Sequence, residues 1–173
     1  MYMLIRVLVP AVGSSEAAST TRYALDCLIG IRIGIGNSNG NGASTAFDYY
    51  KTLDESTTRY RDHPRYGDID PALSLQSETG RQFLEDAVEA QEAWLHKTLD
   101  KLRVKLESLD LESVIDDVNL TRFDWYRLGQ FAGPSVWIYD RHGAGLRSRS
   151  AVERHLEHNG EDKLWVVPAD VHY

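Results

Sequence analysis

The stretch that decides the fold is Val136–His158, VWIYDRHGAGLRSRSAVERHLEH. An apolar run ends at Asp140, a loop with two glycines and three arginines follows, and a helix-like segment comes next. Many proteins hold a phosphate with a strand, a glycine loop and a helix, because backbone N–H groups at the loop and helix start attract anions. The stretch predicts such a strand–loop–helix unit, and it raises the question of whether this loop binds phosphate.

The composition limits the class of protein. The chain has 173 residues, of which 42% are hydrophobic and 26% charged, as is ordinary for one soluble globular domain with its own core. Its formal net charge of -7 argues against nonspecific binding to nucleic acid or an anionic membrane. The apolar segment Met3–Pro10 is interrupted by Arg6 and is too short for a signal or a membrane span. We therefore expect a cytoplasmic protein with a single domain, residues 1–173.

Strands and helices alternate along the chain. The clearest signal is an apolar stripe at steps of three or four residues, which starts at Phe83 and predicts a long amphipathic helix. Alternation of this kind is typical of a parallel sheet with helices on both faces, which binds ligands beyond the carboxyl ends of its strands. The predicted order begins with strand Leu4–Val9, a helix with Ser14 and Ser15 as N-cap candidates and Gly30 as its terminator, and strand Ile31–Ile35. A long irregular insertion Asn37–Gln76, with room for one short helix, comes before a helix from Thr79 to about Ser108. The remaining elements are strand Ser113–Leu120, a short helix Thr121–Phe131, strand Val136–Tyr139, helix Ser150–His158 and strand Leu164–Val167.

The two ends of the chain resemble the universal stress proteins. At the start, LIRVLVPAVGSSEAASTTRYALDCL is similar to their first strand, Gly-Ser turn and helix. At the end, His142-Gly143, Ser150 with Glu153-Arg154, and Val166-Val167-Pro168 match their last loop, helix and strand. The resemblance implies a three-layer, doubly wound α/β sandwich with a five-stranded parallel sheet of order 3-2-1-4-5, as in the adenine nucleotide alpha hydrolase-like proteins. It also implies a homodimer through the last strand.

The resemblance further implies a site for ATP or another adenine nucleotide. In the family, a loop patterned Gly-x2-Gly-x9-Gly-(Ser/Thr) holds the phosphates. Here Asp140 stands at the first glycine, Arg149 at the last, and five residues separate Gly143 from Arg149 where nine are expected. Val12 replaces an Asp that lies near the ribose in ATP-binding members. The residues that the resemblance places at the nucleotide are Pro10, Val12, Gly13, Ile35, Asp140, His142, Gly143, Gly145, Arg147, Arg149 and Ser150.

These departures predict a degenerate nucleotide site, because a carboxylate beside a triphosphate is unfavourable without a metal. The arginines of the loop offset that charge only where they face the ligand. We therefore expect a regulatory or stress-response module that resembles the universal stress proteins and has weak, altered or lost nucleotide binding. The alternatives are a protein–protein interaction module without a ligand, and an enzyme that uses Asp140 and His142 as acid–base groups on a phosphoester.

Two further expectations concern metal and self-association. His155 and His158 lie three residues apart on one predicted helix beside Glu153 and Glu157, a pattern that fits the exposed polar end of a helix and, as an alternative, a zinc site. The strand Leu164–Val167 would be an edge strand in the expected order, and an unpaired edge invites another strand. A homodimer built on this edge, without nucleic-acid or membrane partners, is the predicted assembly.

Overall fold

The structure is a computed structural model that describes residues 2–29, 47–53, 55, 58, 60, 67, 69–108, 136–160 and 163–172. Within these residues there are five strands and three helices. None of these helices combines the length and the apolar character needed to cross a bilayer. In chain order the elements are β1 (Tyr2–Pro10), α1 (Ser14–Leu28), β2 (Tyr49–Thr52), β3 (Leu73–Ser74), α2 (Glu78–Ser108), β4 (Ile138–Asp140), α3 (Arg149–Asn159) and β5 (Leu164–His172).

The sheet is mixed, with the order β2-β5-β1-β4 and with β3 also paired to β5. Strand β4 lies parallel to β1, with Leu8 opposite Asp140, whereas β5 lies antiparallel to β1 over its whole length. Strands β2 and β3 then pair antiparallel with the other side of β5. The predicted all-parallel sheet of order 3-2-1-4-5 is therefore wrong, although β4 does lie parallel beside β1.

Strand β5 lies inside the sheet and not at its edge, so the prediction of a dimer through this strand has to be corrected. Its segment Leu164–Val167 pairs with β1 on one side, and Val166 and Trp165 pair with β3 on the other. The backbone groups that were expected to recruit a second chain are thus used inside the molecule. An edge-to-edge dimer through Leu164–Val167 has no free edge to use.

The sheet separates two apolar clusters. Alternate residues of a strand point to opposite faces, so that Ile5 and Val7 face α1 whereas Leu4 and Leu8 face α2 and α3. The cluster on the α1 side comprises Met3, Ile5, Val7, Val9, Ala17, Ala24, Leu25, Leu28, Phe47, Ala72, Val136, Tyr139, Val167, Ala169 and Val171. The cluster on the other side comprises Leu4, Leu8, Leu73, Leu75, Phe83, Leu84, Ala87, Val88, Ile138, Val152, Leu164 and Val166.

One charged side chain lies inside the second cluster. Arg6 is 6% exposed, its guanidinium carbon lies 4.5 Å from the centre of the Phe83 ring, and its Nη1 donates to the Leu4 carbonyl at 2.9 Å. The ring face and the carbonyl both offer partial negative charge to the cation. Arg6, which interrupts the apolar run in the sequence, is thus a packing residue between β1 and α2.

Several predicted elements lie outside the described residues: strand Ile31–Ile35, strand Ser113–Leu120 and helix Thr121–Phe131. The insertion Asn37–Gln76 was predicted to be irregular, yet β2 and β3 come from it and complete the sheet beside β5. Three of the four predicted helices agree with α1, α2 and α3 to within about two residues at their ends, and the fourth, Thr121–Phe131, lies outside the described residues.

Candidate functional site

The loop after β4 folds back on β4 instead of opening toward a ligand. The N–H of Asp140 donates to the Ala144 carbonyl at 2.9 Å, and that of Leu146 donates to the Ile138 carbonyl at 2.8 Å. Tyr139 and Gly145 form an antiparallel bridge between these bonds. The loop therefore extends the sheet by covering the outer edge of β4.

The Asp140 carboxylate is the centre of this turn. Its Oδ1 accepts the backbone N–H of His142 and that of Ala144, each at 2.8 Å. A phosphate in a glycine loop binds to backbone N–H groups of this kind. The Asp140 carboxylate therefore already satisfies these two donors, and its negative charge opposes the approach of an anion to them.

Gly143 shows why the turn needs glycine. Its φ is 76°, a conformation that other residues adopt only with strain, and a Cβ there would lie 3.3 Å from Leu28 Cγ. The loop therefore packs closely on the C-terminal half of α1, near Ala24 and Leu28. The glycine at this position thus lets the loop pack against α1. In a phosphate-binding loop, by contrast, glycine lets the backbone approach the phosphate.

The other half of the expected nucleotide site lies at the opposite end of α1. Gly13 is the N-cap residue, with an extended φ of -170°, and the N–H of Val12 donates to the Glu16 carboxylate at 2.7 Å. A helix of 15 residues is about 22 Å long. Gly143 contacts the last turns of α1, whereas Gly13 caps its first turn, so these two glycines lie at opposite ends of the helix. The Val12 side chain is 99% exposed.

Arg149 is an interhelix contact. Its Nη2 lies 2.7 Å from Glu85 Oε1 and 3.1 Å from Glu92 Oε2, and both carboxylates belong to α2. These bonds, the one to Glu85 foremost, raise the pKa of the guanidinium further above its ordinary value. Arg149 thus fastens the start of α3 to α2, which corrects its predicted role as a phosphate ligand.

The remaining predicted site residues are dispersed. Pro10 ends β1 opposite Leu164, and Arg147 is half-buried near the Tyr139 hydroxyl, whose pKa is raised chiefly by burial. The Ser150 hydroxyl lies 3.1 Å from that of Ser148, the N-cap residue of α3. Ile35 lies outside the described residues. The structure thus assembles Asp140, His142, Gly143 and Gly145 into one turn that begins beside the end of β1, since Leu8 lies opposite Asp140, whereas Gly13 lies at the start of α1.

The Asp140–His142 pair does not form an acid–base couple. Asp140 accepts from the backbone of His142, while the His142 ring accepts the Nε–H of Arg141 on its Nε2 at 2.9 Å. The carboxylate therefore neither orients the imidazole nor withdraws a proton from it, as paired catalytic groups require. The geometry gives no support to a phosphoester reaction at this turn.

The histidines of α3 lack a third ligand among the described residues. No three histidine, cysteine or acidic side chains converge there in a way that could hold a metal ion. His155 is half-buried, its Nε2 has no hydrogen-bond partner in the described part of the chain, and burial lowers its pKa. Burial of His155 therefore favours the neutral form of its imidazole.

A groove lies at the first half of α1. It has a volume of about 700 Å³ and is lined by Ser14, Ser15, Ala18, Ser19, Arg22, Asp70, Pro71, Ala72 and Trp165. The Trp165 indole N–H donates to the Ala11 carbonyl at 3.0 Å, which fixes that wall. One guanidinium and one carboxylate offset each other in the lining, so the groove offers little net attraction to a triphosphate.

Gln91 is a buried polar residue that the sequence reading missed. It is 1% exposed on α2, accepts the Trp137 N–H on Oε1 at 2.9 Å, and donates from Nε2 to the Leu146 carbonyl at 2.9 Å. It therefore joins α2 to both sides of the β4 turn. The available signal was its position on the apolar face of the predicted helix, four residues after Ala87.

These observations define a class of protein. It is a mixed α/β domain with helices on both faces of its sheet and a closed turn after β4. The model of the family described as "Domain of unknown function (DUF7995)" matches residues 1–173, so the chain belongs to this family. No curated protein matches the chain, and no solved structure does so either.

Proposed function

We propose that the chain is a regulatory or protein–protein interaction module that does not use ATP. The observation that carries the proposal is the Asp140 carboxylate, which accepts the two backbone N–H groups that a phosphate in this loop would need. The separation of Gly13 from Gly143 along α1 supports it, because a nucleotide site requires convergent donors. An adenine nucleotide and a dimer through Leu164–Val167, both implied by the resemblance, are not part of this proposal.

Calorimetric titration with Mg-ATP tests the nucleotide half of this proposal. We expect no binding by the wild-type chain up to about 1 mM ATP, because the loop donors are already bonded to a group of negative charge. The matched variant Asp140→Ala removes that charge and releases both amides, and measurable ATP binding only in this variant would support the role given to the carboxylate. Micromolar binding by the wild-type chain, unchanged in Arg147→Ala and Arg149→Ala, would contradict the proposal.

A further inference from the structure

The groove at the first half of α1, called the α1 groove below, has two polar walls. One wall is α1 itself, which contributes Ser14, Ser15 and Ser19, and the other is the segment that leads into β3, which contributes Asp70. These four side chains are exposed, so their polar atoms are accessible to a ligand. The volume of about 700 Å³ lies within the range of small-molecule sites.

Most of the polar groups on these walls are not used inside the molecule. Within the described part of the chain, the hydroxyls of Ser14 and Ser15 and the carboxylate of Asp70 form no hydrogen bond or ion pair. The Ser19 hydroxyl donates to the Glu16 carbonyl at 3.0 Å and keeps its acceptor capacity. A serine hydroxyl both donates and accepts, whereas a carboxylate accepts from two donors at once. The α1 groove therefore suits a ligand with several hydroxyl groups.

Trp165 gives the α1 groove a rigid apolar surface. Its ring is half-buried, packs against the cluster on the α1 side and also lines the groove. The indole N–H, which is the only polar group of the side chain, donates to the Ala11 carbonyl at 3.0 Å and so fixes the ring. A flat apolar surface beside hydroxyl and carboxylate groups is complementary to a sugar ring, whose C–H face is apolar and whose edge carries hydroxyls.

The charges of the α1 groove favour a neutral ligand. Asp70 repels an anion and Arg22, on the other wall, repels a cation, whereas an uncharged ligand meets neither cost. We propose that the α1 groove binds a neutral sugar of one or two rings, with a ring face on Trp165 and neighbouring hydroxyls on Asp70 and the serines of α1. This inference goes beyond the proposed function and does not rest on it, because the groove shares no residue with the turn after β4.

An NMR titration with defined sugars tests this site. The signal observed is the indole N–H of Trp165, which is one of four tryptophans and is assigned from its loss in Trp165→Phe. We expect glucose or maltose to shift this signal, with a dissociation constant of about 0.1–1 mM. Glucosamine and glucose 6-phosphate add a charge to the same ring, and glycine betaine is a zwitterion without a sugar ring, so all three should bind more weakly. No shift with either neutral sugar, or tighter binding of any of these three, would overturn the proposal.

Asp70→Ala should weaken sugar binding at least about tenfold, because it removes a charged acceptor for two hydroxyls. The matched control is Asp100→Ala on α2, which removes the same charge outside the groove and costs only an exposed ion pair with Arg103. It should leave the affinity within about twofold. An unchanged affinity in Asp70→Ala, or an equal loss in the control, would contradict the assignment. The failure of the proposed function is distinguishable, because it is read as ATP binding in the separate titration.

Discussion

Gly80→Ala is expected to lower the free energy of unfolding by about 3 kcal/mol, although alanine normally stabilises a helix relative to glycine. A Cβ at Gly80 would lie 2.8 Å from the carbonyl carbon of Ser74 and closer still to its oxygen, and both are backbone atoms. The Ser74 oxygen is fixed because it accepts the N–H of Ser77 at 3.0 Å and the Ser77 hydroxyl at 2.7 Å. The added methyl must therefore push the start of α2 away from β3.

Urea unfolding of both variants measures this effect. The control is Gly13→Ser, because no heavy atom lies within 4 Å of a Cβ at Gly13 and serine is a favourable N-cap residue. We expect the control to stay within about 0.5 kcal/mol of the wild-type chain. A Gly80→Ala variant as stable as the wild type would show that α2 does not lie this close to β3.

The second large effect is expected at Gln91. Gln91→Leu should lower the free energy of unfolding by about 3 kcal/mol, because it leaves the Trp137 N–H and the Leu146 carbonyl without their partner. The matched control is Gln82→Leu on the exposed side of the same helix, where the amide donates to Asp86 Oδ1 at 3.0 Å. That control should change the stability by less than about 0.5 kcal/mol.

A third variant separates the hydrogen bonds of Gln91 from its packing. Gln91→Glu keeps an acceptor for Trp137 but places a carboxylate against the Leu146 carbonyl, so the folded state raises the pKa of the new carboxyl. Because the pKa is raised, Gln91→Glu should lose stability relative to the wild-type chain as the pH rises above the ordinary carboxyl value of about 4.3. At lower pH the carboxyl is protonated and can donate to the Leu146 carbonyl, so the loss should shrink. Urea midpoints that fall equally at acidic and neutral pH would contradict the hydrogen-bond account.

The helices could be predicted from the sequence because their signals are local. The apolar stripe of α2 and the serines around the starts of α1 and α3 depend only on residues within a few positions of one another. The strand direction could not be predicted in the same way. Alternating strands and helices suggested parallel crossovers, whereas β5 pairs with a strand more than 150 positions earlier in the chain.

Pro168 shows how a local rule failed. Proline lacks a backbone donor, so Leu164–Val167 was predicted to end there, yet β5 continues to His172. Pro168 lies opposite Arg6, whose own N–H donates to Trp137 on the β4 side. On the other side of β5, the pairing with β3 ends at Val166 and the pairing with β2 begins at Ala169. Pro168 falls between them, where a ladder donor is not required.

The candidate site was predicted in part. The sequence located the turn after β4 and identified Asp140 as the group least compatible with phosphate. It did not show that the carboxylate closes the turn, although Asp is a common first residue of turns in which its side chain binds backbone N–H groups two residues on. Gly143 and Arg149 were assigned to a phosphate because their real contacts, Leu28 and Glu85, are distant in sequence.

The most direct test of the central claim is amide hydrogen exchange at His142 and Ala144, measured by NMR. If Asp140 holds both N–H groups, they should exchange at least about tenfold more slowly than in an unstructured peptide, and Mg-ATP should leave their rates unchanged. Asp140→Ala should abolish this protection. Amides that exchange freely in the wild-type chain and become protected on addition of Mg-ATP would show that the turn is an open phosphate loop, and would contradict the account.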